Sequence, residues 1–505
     1  MKRNNIIKSI LFSGTLILGV SCTNLDEQVL DGVPNQTDGG TAVNTAALLA
    51  KTYEGLRGFQ DQDKMYAMEE MSTDALVGPT RGGDWDDNAK WRQLHTHTWA
   101  PDHIEVKNAW NALLSNVYNC NQIIENGGTA SEVVQARFLR AFYYFHVIDF
   151  FGQAPYREAG SKLEDDPKVW TRAEATEYVI SELEAVVGSL PARTAGDASM
   201  ANADAAHFLL AKLYLNKGVF EAADSAGPYT FDAADMNKVV SNVDAMTNTL
   251  ATNYWSNFAP DNNTSNELVF TSKNSIGGPG GGIQSRWRMG MHYNQTPGGW
   301  NGFATLSEYY NRFNAGDARR QYSTPSIVAN FGNPIGFEVG QMYAPGGTVA
   351  LQDRNNNPLV YTSALTLITN GATLETAGIR AMRYEPDNNN LGSPNNDYIL
   401  MRYSDALLMK AEAIVRGASG NAATPLAAIA TRTGQPAVGS TLDAIYAERG
   451  RELWWEGWRR NDMIRFGKFL EARELKPYVS ESKYLLYPIP ADALFNANLK
   501  QNPGY

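Results

Sequence analysis

The stretch ERGRELWWEGWRRNDMIRFGKF, residues 448–469, decides the fold. Acidic and basic side chains alternate along it at near-helical spacing, with aromatic residues between them. Opposite charges three or four positions apart attract each other on a helix. The pattern therefore predicts helical structure over residues 441–470, held by salt bridges, and gives the charged side chains a structural role. They are Glu448, Arg449, Arg451, Glu452, Glu456, Arg459, Arg460, Asp462 and Arg465.

The segment ARFLRAFYYFHVIDFFGQAPY, residues 136–156, carries a second strong pattern. Apolar residues recur with the helical period and predict a helix over 131–150, with Ser131 as its N-cap. A helix so rich in aromatic residues indicates a buried core element rather than a ligand platform. His146 lies in this helix, and we expect it to be a structural histidine and not a metal ligand.

The same periodicity predicts further helices at residues 41–59, 106–125, 172–188, 202–217 and 402–417. In the third of these, Thr171 and Glu174 have the spacing of a capping box. Paired amphipathic helices with alanine at close-contact positions predict a mainly α fold, built on a tetratricopeptide-like helical-repeat scaffold. No strict repeat period is visible, so we expect degenerate repeats. Cys120 falls on an apolar helical stripe and should be buried.

Residues 226–400 differ from this helical pattern, because Gly, Asn, Pro and Thr are frequent and periodicity is poor. A long irregular stretch inside a compact protein is usually functional loop. We therefore predict a loop-rich second lobe there, followed by a helical return over 401–505. The tracts DRNNNP (353–358) and PDNNN (386–390) lack the alternating acids of a calcium loop and predict turns.

The N-terminus is typical of a secreted protein. Three cations and an apolar run over residues 10–20 predict a signal peptide at 1–21, too short to span a membrane. The run ends in Gly19-Val20-Ser21-Cys22, which resembles the lipobox of bacterial lipoproteins and predicts lipidation of Cys22. Leu18 departs from that pattern, since it lies one position further from the cysteine than usual. Residues 22–40 are polar and predict a flexible tether, ahead of an N-terminal helical part (41–225) and a C-terminal part (226–505).

The charge and the cysteine count exclude some classes of protein. The formal net charge is −11, and removing the three cations of residues 1–21 leaves −14. Such an acidic body is a poor nucleic-acid binder, because phosphate contacts need clustered Lys and Arg. Two cysteines in a secreted chain of 505 residues do not make a disulfide scaffold.

Four segments together resemble the SusD/RagB family of outer-membrane nutrient-binding lipoproteins. They are 136–156, RYSDALLMKAEA (402–413), 448–469 and the terminus YPIPADALFNANLKQNPGY (487–505). The resemblance implies a helical body that supports a loop-rich lobe, and binding without catalysis. It also implies a lipid anchor in the outer membrane, facing the cell surface, and a SusC-like TonB-dependent barrel as the partner.

Two loops have the composition that an oligosaccharide site needs, namely flat rings for sugar faces and polar groups for hydroxyls. The first is PTRGGDWDDNAKWRQLHTHTW, residues 79–99. The resemblance places ligand-contacting residues in this part of the chain, where Arg81, Gly82, Asp84 and Trp85 match a recurring family loop. We predict Trp85 as the platform, with Arg81 and Asn88 as hydrogen-bonding partners and Trp91 as a further contact.

The second loop is MHYNQTPGGWNGFATLSEYY, residues 291–310. Its GWNG motif is also a recurring family feature. Glycines beside Trp300 leave backbone room for the ring to project, and Asn301 offers both a donor and an acceptor. We predict both as ligand contacts and regard Tyr293 as a weaker candidate. For each tryptophan the alternative is a structural role beneath its loop.

Two other functions stay open on the sequence alone. A peptide ligand is possible because the RagB branch handles peptides. A glycoside hydrolase would need two carboxylates about 5–10 Å apart. The acids Glu69, Glu70, Asp84, Asp86 and Asp87 could supply them, although no spacing picks out a pair. No Walker loop, dinucleotide fingerprint or zinc spacing occurs, so we predict no cofactor or metal. The sequence does not identify the glycan.

Overall fold

The fold is mainly α-helical, as the sequence predicts. A computed structural model describes residues 43–157, 161, 165–278 and 282–505. The predicted signal peptide, the predicted tether and Cys22 lie outside these residues. Residues 44–505 form one compact unit. In the described part of the chain, no helix has the length and apolar character needed to cross a membrane.

The helices fall into two groups along the chain. Long helices dominate the first half and the last quarter, and short ones lie between them. They are α1 Thr45–Gly55, α2 Lys64–Tyr66, α3 Lys90–Thr96, α4 Ile104–Glu125, α5 Ala130–Phe151, α6 Arg172–Val186, α7 Ala203–Phe220, α8 Ala233–Ala245, α9 Ser285–Arg288, α10 Ser307–Tyr310, α11 Pro325–Phe331, α12 Tyr403–Val415, α13 Ala423–Thr433, α14 Leu442–Glu452 and α15 Arg459–Arg465.

The long helices pack in series. Helix α4 contacts α5, α5 contacts α6, α6 contacts α7, α7 contacts α8, α8 contacts α12, and α12 contacts α13 and α14. Packing of each helix on its neighbours is the arrangement of a helical-repeat scaffold. The tetratricopeptide-like scaffold is thus confirmed. Its aromatic core helix α5 is buried from Phe138 onward, except for Arg140. Cys120 is buried and free, as predicted.

Helix caps confirm one prediction and correct another. Thr171 and Glu174 form the predicted capping box at the start of α6. At α5 the N-cap is Thr129 and not Ser131. The Thr129 hydroxyl accepts from the Glu132 backbone N–H, while the Glu132 carboxylate accepts from the Thr129 N–H at 2.8 Å. This reciprocal pair satisfies two free backbone donors, which a cap at Ser131 would not do.

The helix predicted over 441–470 is broken between α14 and α15. Trp455 has a φ of 60° and Gly457 a φ of 83°, both in the left-handed region, so a right-handed helix cannot continue through them. The break turns Trp454 and Trp455 into the core, where both are fully buried. The two helices remain in contact across it.

Ion pairs hold this region together, as predicted, but most of them join separate segments. Buried Arg402 pairs with Glu267, Glu452 and Glu456 at 2.6–2.8 Å. Buried Arg449 pairs with Asp405 at 2.7 Å and with Asp462 at 2.8 Å. Local helical pairs also occur, between Arg451 and Glu448 and between Arg465 and Asp462. Buried charges need such partners because an unpaired one is costly in the protein interior.

Short strands make small sheets, most of them in the loop-rich part of the chain. The strands are β1 Thr80–Arg81, β2 Gln153–Tyr156, β3 Lys168–Thr171, β4 Leu268–Ser272, β5 Gln321–Tyr322, β6 Ile335–Glu338, β7 Gly340–Gln341, β8 Val360–Tyr361, β9 Ile368–Thr369, β10 Arg380–Met382 and β11 Tyr398–Arg402. The pairs β11–β4, β2–β3 and β7–β8 are antiparallel, β6 lies between β10 and β5, and β1 runs parallel to β9.

Candidate ligand-binding site

The first predicted loop is fixed to the body by strand pairing. Strand β1 pairs with β9, with Thr80 opposite Ile368. Directly after Thr80, Arg81 and Asp84 exchange backbone hydrogen bonds of 2.8 and 2.9 Å and close a tight turn. Gly82 has a φ of 62° there, which glycine adopts without penalty because it has no Cβ. The loop therefore leaves the body at a defined point.

Residues after this turn hold an unusual backbone. Trp85, Asp87, Asn88 and Ala89 have φ values of 60°, 41°, 55° and 63°. Left-handed non-glycine residues cost about 1–3 kcal/mol each and persist only where the surroundings fix them. Such residues cluster at ligand-binding sites. The backbone thus gives a reason, independent of composition, to regard this loop as functional.

Trp85 is half-buried and attached to the second predicted loop. Its indole nitrogen donates to the Trp300 carbonyl at 3.1 Å. Its ring meets Phe303 edge-to-face at 4.7 Å and lies 6.4 Å from the Trp300 ring. Aromatic pairs at these separations stabilise each other beyond their burial. The indole is thereby held in place, while part of the side chain remains exposed to solvent.

The glycines of GWNG have a different role from the predicted one. A Cβ on Gly302 would lie 2.6 Å from the Trp85 ring, and a Cβ on Gly299 would lie 2.1 Å from the Met291 carbonyl oxygen. Both glycines therefore permit close packing and do not free the Trp300 side chain to move. Trp300 itself is half-buried beside Trp85.

Three predicted site residues lie beneath the surface. The Arg81 guanidinium donates to the carbonyls of Gly302, Leu374 and Ala377 at 2.7–3.1 Å. Trp91 is 2 % exposed and donates to Asp87 at 2.6 Å. Asn301 is 1 % exposed, with a left-handed φ of 52°. This geometry does not fit direct ligand contact, because all three side chains are buried and internal hydrogen bonds occupy those of Arg81 and Trp91. Asn88, by contrast, is exposed at the surface of the loop.

A cleft of about 500 Å³ opens next to Trp85. Tyr293, from the second loop, and Arg354, from the tract 353–358, supply further lining. The Arg354 guanidinium lies 4.4 Å from the centre of the Tyr293 ring, a cation–π distance. The Tyr293 hydroxyl donates to Asp84 at 3.4 Å. The residues that line the cleft are Asp84, Trp85, Asp87, Tyr293 and Arg354.

Buried Glu375 ties the Tyr293 side of the cleft together. Its carboxylate accepts from the Arg354 backbone N–H at 2.9 Å, forms an ion pair with the Arg354 side chain, and contacts His292 Nε2 at 2.8 Å. Burial alone would raise the pKa of Glu375, but these donors outweigh it and hold the pKa below its usual value. The Glu375 carboxylate thus positions both the turn that carries Arg354 and the loop that carries His292 and Tyr293.

The protonation of His292 follows from its two partners. The Asn294 backbone N–H donates to His292 Nδ1 at 3.0 Å, so Nδ1 carries no proton. The proton therefore lies on Nε2, which donates to Glu375. Burial lowers the pKa of His292 and favours this neutral form, which the Glu375 carboxylate only partly offsets. The imidazole acts here as a fixed link and not as an exposed base.

Much of this wall is not evident from the sequence. Tyr293 is only a weaker candidate there, and Arg354 lies in a tract predicted to be a turn. That turn is present: Asp353 accepts from the backbone N–H groups of Asn355 and Asn357 at 2.8 Å. The sequence signal for Arg354 is a cation inside a tight Asp-Asn turn, because such a turn directs the arginine side chain toward solvent. The second tract is also a turn, closed by Asp387.

The acids considered for hydrolysis lie in different surroundings. Glu69 and Glu70 are 6 % and 0 % exposed, and burial raises the pKa of Glu70 to about 8. Asp86 forms an ion pair with Arg92 at 2.8 Å. Asp84 and Asp87 alone line the cleft. Within the described residues, no group of three His, Cys, Asp or Glu side chains is arranged to hold a metal ion. Rings and hydrogen-bonding groups around an open cleft suit binding of a polar ligand with flat apolar faces.

Comparison with known sequences places the chain in a family. A sequence profile described as the SusD family matches residues 241–505, more than half of the chain. The chain belongs to the SusD family. A second profile, described as starch-binding associating with outer membrane, matches residues 28–215. The resemblance carried by the four sequence segments is therefore confirmed.

Individual SusD proteins are similar over nearly the whole chain. The starch-binding protein SusD of Bacteroides thetaiotaomicron is 26 % identical over 98 % of each chain. A laminarin-binding SusD-like protein has a TM-score of 0.70 and 19 % identity, covering 91 % of this chain and 99 % of its own. Surface glycan-binding protein A from B. thetaiotaomicron, solved with laminarihexaose, has a TM-score of 0.67 and 20 % identity, covering 91 % and 98 %. The solved structures share the fold.

Proposed function

We propose that this SusD-family chain binds an oligosaccharide at the cell surface and delivers it to an outer-membrane transporter without cleaving it. The cleft between Trp85 and Tyr293 carries the proposal. A sugar ring presents apolar C–H faces and polar hydroxyl edges. An indole face suits the first, and carboxylate and guanidinium groups at the rim suit the second. The cleft offers both within one volume of about 500 Å³.

Residue roles follow from position. Trp85 is the stacking platform, and Tyr293 forms the opposing wall. Asp84, Asp87 and Arg354 supply hydrogen bonds to hydroxyl groups. Asn88 and Trp300 extend the surface beside the cleft. Arg81, Trp91 and Asn301 are assigned a supporting role, because they hold the two loops from below.

The names of similar proteins support a glycan over a peptide. They are described as binding starch, laminarin and laminarihexaose. They are also described as binding proteins, which favours a role without catalysis. No single glycan is assigned to this chain, because binding-loop residues vary independently of the scaffold.

The membrane location and the partner rest on the sequence and the family. Lipidation of Cys22 would anchor the chain in the outer membrane, since acyl chains supply the attachment that a helix otherwise gives. The second matching profile names association with the outer membrane. We propose a SusC-like TonB-dependent barrel as the transporter that receives the glycan.

Calorimetric titration of the purified chain with starch, laminarin, xyloglucan and peptide fragments tests the function. We expect saturable binding of an oligosaccharide that weakens at least about tenfold in Trp85→Ala, because truncating a central tryptophan of a binding site costs about 2 kcal/mol or more. Trp170→Ala is the matched control, because Trp170 is also half-buried but stacks on Tyr156 away from the cleft. Binding of peptides alone would contradict the proposal, as would release of shorter sugars.

A further inference from the structure

The rim of the cleft carries two carboxylates that form no ion pair within the described part of the chain. Asp84 and Asp87 are exposed, and both line the cleft. The donors that reach them are neutral: the Tyr293 hydroxyl for Asp84 and the Trp91 indole for Asp87. Each carboxylate has about four lone-pair positions, so one donor leaves most of its acceptor capacity unused. These oxygens are available to a ligand.

Three cations near the cleft form ion pairs with other acids, whereas the buried guanidinium groups of Arg81 and Arg380 donate to backbone carbonyls. Arg354 forms an ion pair with Glu375, Arg92 with Asp86 and Lys90 with Glu105. The Arg354 guanidinium is also held against the Tyr293 ring. Among the described residues that line the cleft, Arg354 is the one cation, and Glu375 lies directly behind it. The described lining of the cleft therefore holds two carboxylates against one guanidinium, in a chain whose net charge is −11.

We infer that the site takes a glycan segment free of acidic groups and disfavours uronate, sulfate and phosphate sugars. The inference rests on the proposed function and narrows its ligand class. Hydroxyl groups of a neutral sugar donate to Asp84 and Asp87, which gives charge-assisted hydrogen bonds. A carboxylate or sulfate at the same place offers no proton and meets like charge at short range. Asp84 and Asp87 thus determine specificity by charge as well as by hydrogen bonding.

A matched pair of ligands tests this. The neutral oligosaccharide that binds best is compared with the same oligosaccharide after oxidation of its primary hydroxyls to carboxylates. The full chain in detergent solution is titrated with both at low and high salt. We expect the oxidised form to bind at least about tenfold more weakly at low salt, with a smaller gap at high salt, because salt screens exposed charges.

Variants separate charge from shape. In the double variant Asp84→Asn with Asp87→Asn, the ratio between the affinities for the neutral and the oxidised oligosaccharide should fall several-fold. The double variant Asp261→Asn with Asp443→Asn changes the net charge equally at exposed positions outside the cleft lining and should keep the gap.

The outcomes distinguish the two proposals. Equal or tighter binding of the oxidised ligand, still dependent on Trp85, would overturn the neutral-glycan inference and leave the glycan-binding function standing. An affinity ratio that stays unchanged in Asp84→Asn with Asp87→Asn would also overturn the neutral-glycan inference, since shape alone would then distinguish the two ligands. Failure of every oligosaccharide to bind would remove the proposed function and this inference with it.

Discussion

The indole nitrogen of Trp85 donates a 3.1 Å hydrogen bond to the backbone carbonyl of Trp300, 215 positions away in the sequence. This bond joins the loop of residues 79–99 to the loop of residues 291–310, beside the cleft. Phe303 and Gly302 lie beneath the same ring. The orientation of the platform is therefore a property of two loops together, and changes in either should alter ligand binding.

Gly302→Ala should disrupt the platform without touching a ligand. The added Cβ would lie 2.6 Å from the Trp85 ring, so the ring or the loop must move. We expect a loss of about 1–3 kcal/mol in unfolding free energy, as for overpacking, and weaker oligosaccharide binding. Chemical denaturation and calorimetry measure the two effects. Gly83→Ala in the other loop meets no atom within 4 Å and should change little; equal effects of both variants would refute the packing argument.

Glu375→Gln should loosen the wall that carries Tyr293. The substitution removes the charge that holds Arg354 and His292, and leaves their donors poorly satisfied. We expect stability to fall by about 1–3 kcal/mol and ligand affinity to fall with it. Thermal unfolding and titration measure the losses.

A double-mutant cycle with Arg354→Gln separates the ion pair from other effects of the Glu375 variant. Because the Arg354 side chain is 49 % exposed, solvent screens the pair, and we expect a coupling energy of only about 0.5–1 kcal/mol. Additive single effects would mean that Glu375 acts through His292 and the Arg354 backbone alone.

Glu338→Gln should stabilise the fold increasingly as the pH rises. Burial raises the pKa of Glu338 from its ordinary value of 4.5 to about 8, so the folded chain keeps this group protonated when the unfolded chain has released the proton. Folding is therefore penalised by about 1.4 kcal/mol for each pH unit above 4.5, up to about pH 8.

Denaturant unfolding at pH 5 and pH 7.5 tests this sign. Glutamine retains the oxygen that accepts from Gln295 at 2.9 Å but does not ionise. The advantage of Glu338→Gln over the parent should grow by about 3 kcal/mol between the two pH values. The same advantage at both would show that Glu338 titrates normally.

Thr129→Ala should destabilise helix α5 more than Ser131→Ala does. Thr129 makes the reciprocal capping contacts with Glu132. Loss of such a cap costs about 0.5–2 kcal/mol, whereas Ser131 lies in the first turn and is exposed. Urea denaturation of both variants compares them directly. A larger effect of Ser131→Ala would restore the cap predicted from the sequence.

Local patterns predicted the helical elements well. Capping at Thr171, burial of Cys120 and the aromatic core of α5 all follow from residues close in sequence, whose spacing fixes which side chains share a helix face. Local periodicity also predicts helical structure throughout 441–470, where Trp455 and Gly457 instead turn the chain. Nothing local requires a tryptophan to adopt a left-handed φ; its burial against distant residues does.

The candidate site was predicted only in part. Trp85 and Trp300 do meet, and Asn88 is exposed beside them. The residue types of Arg81, Trp91 and Asn301 predict ligand contacts, but all three side chains are buried. Burial depends on what packs above a loop, and that comes from residues such as Leu374 and Ala377, far along the chain. Arg354 and Glu375 are also far in sequence from the two loops, so local patterns do not predict that they lie at the cleft.

The family, the helical scaffold and the two loops that carry aromatic residues all follow from the amino-acid sequence, because periodicity, caps and motif spacing are local properties of the chain. Only the tertiary structure decided which side of each loop faces solvent, since contacts across more than 200 positions bring Trp85 to Trp300 and Arg81 to Gly302. It also placed a buried glutamate behind Arg354 and left Asp84 and Asp87 facing the cleft. The charge that a ligand meets in the cleft results from this folding, because ion pairs neutralise some side chains there and leave the carboxylates of Asp84 and Asp87 unpaired within the described residues.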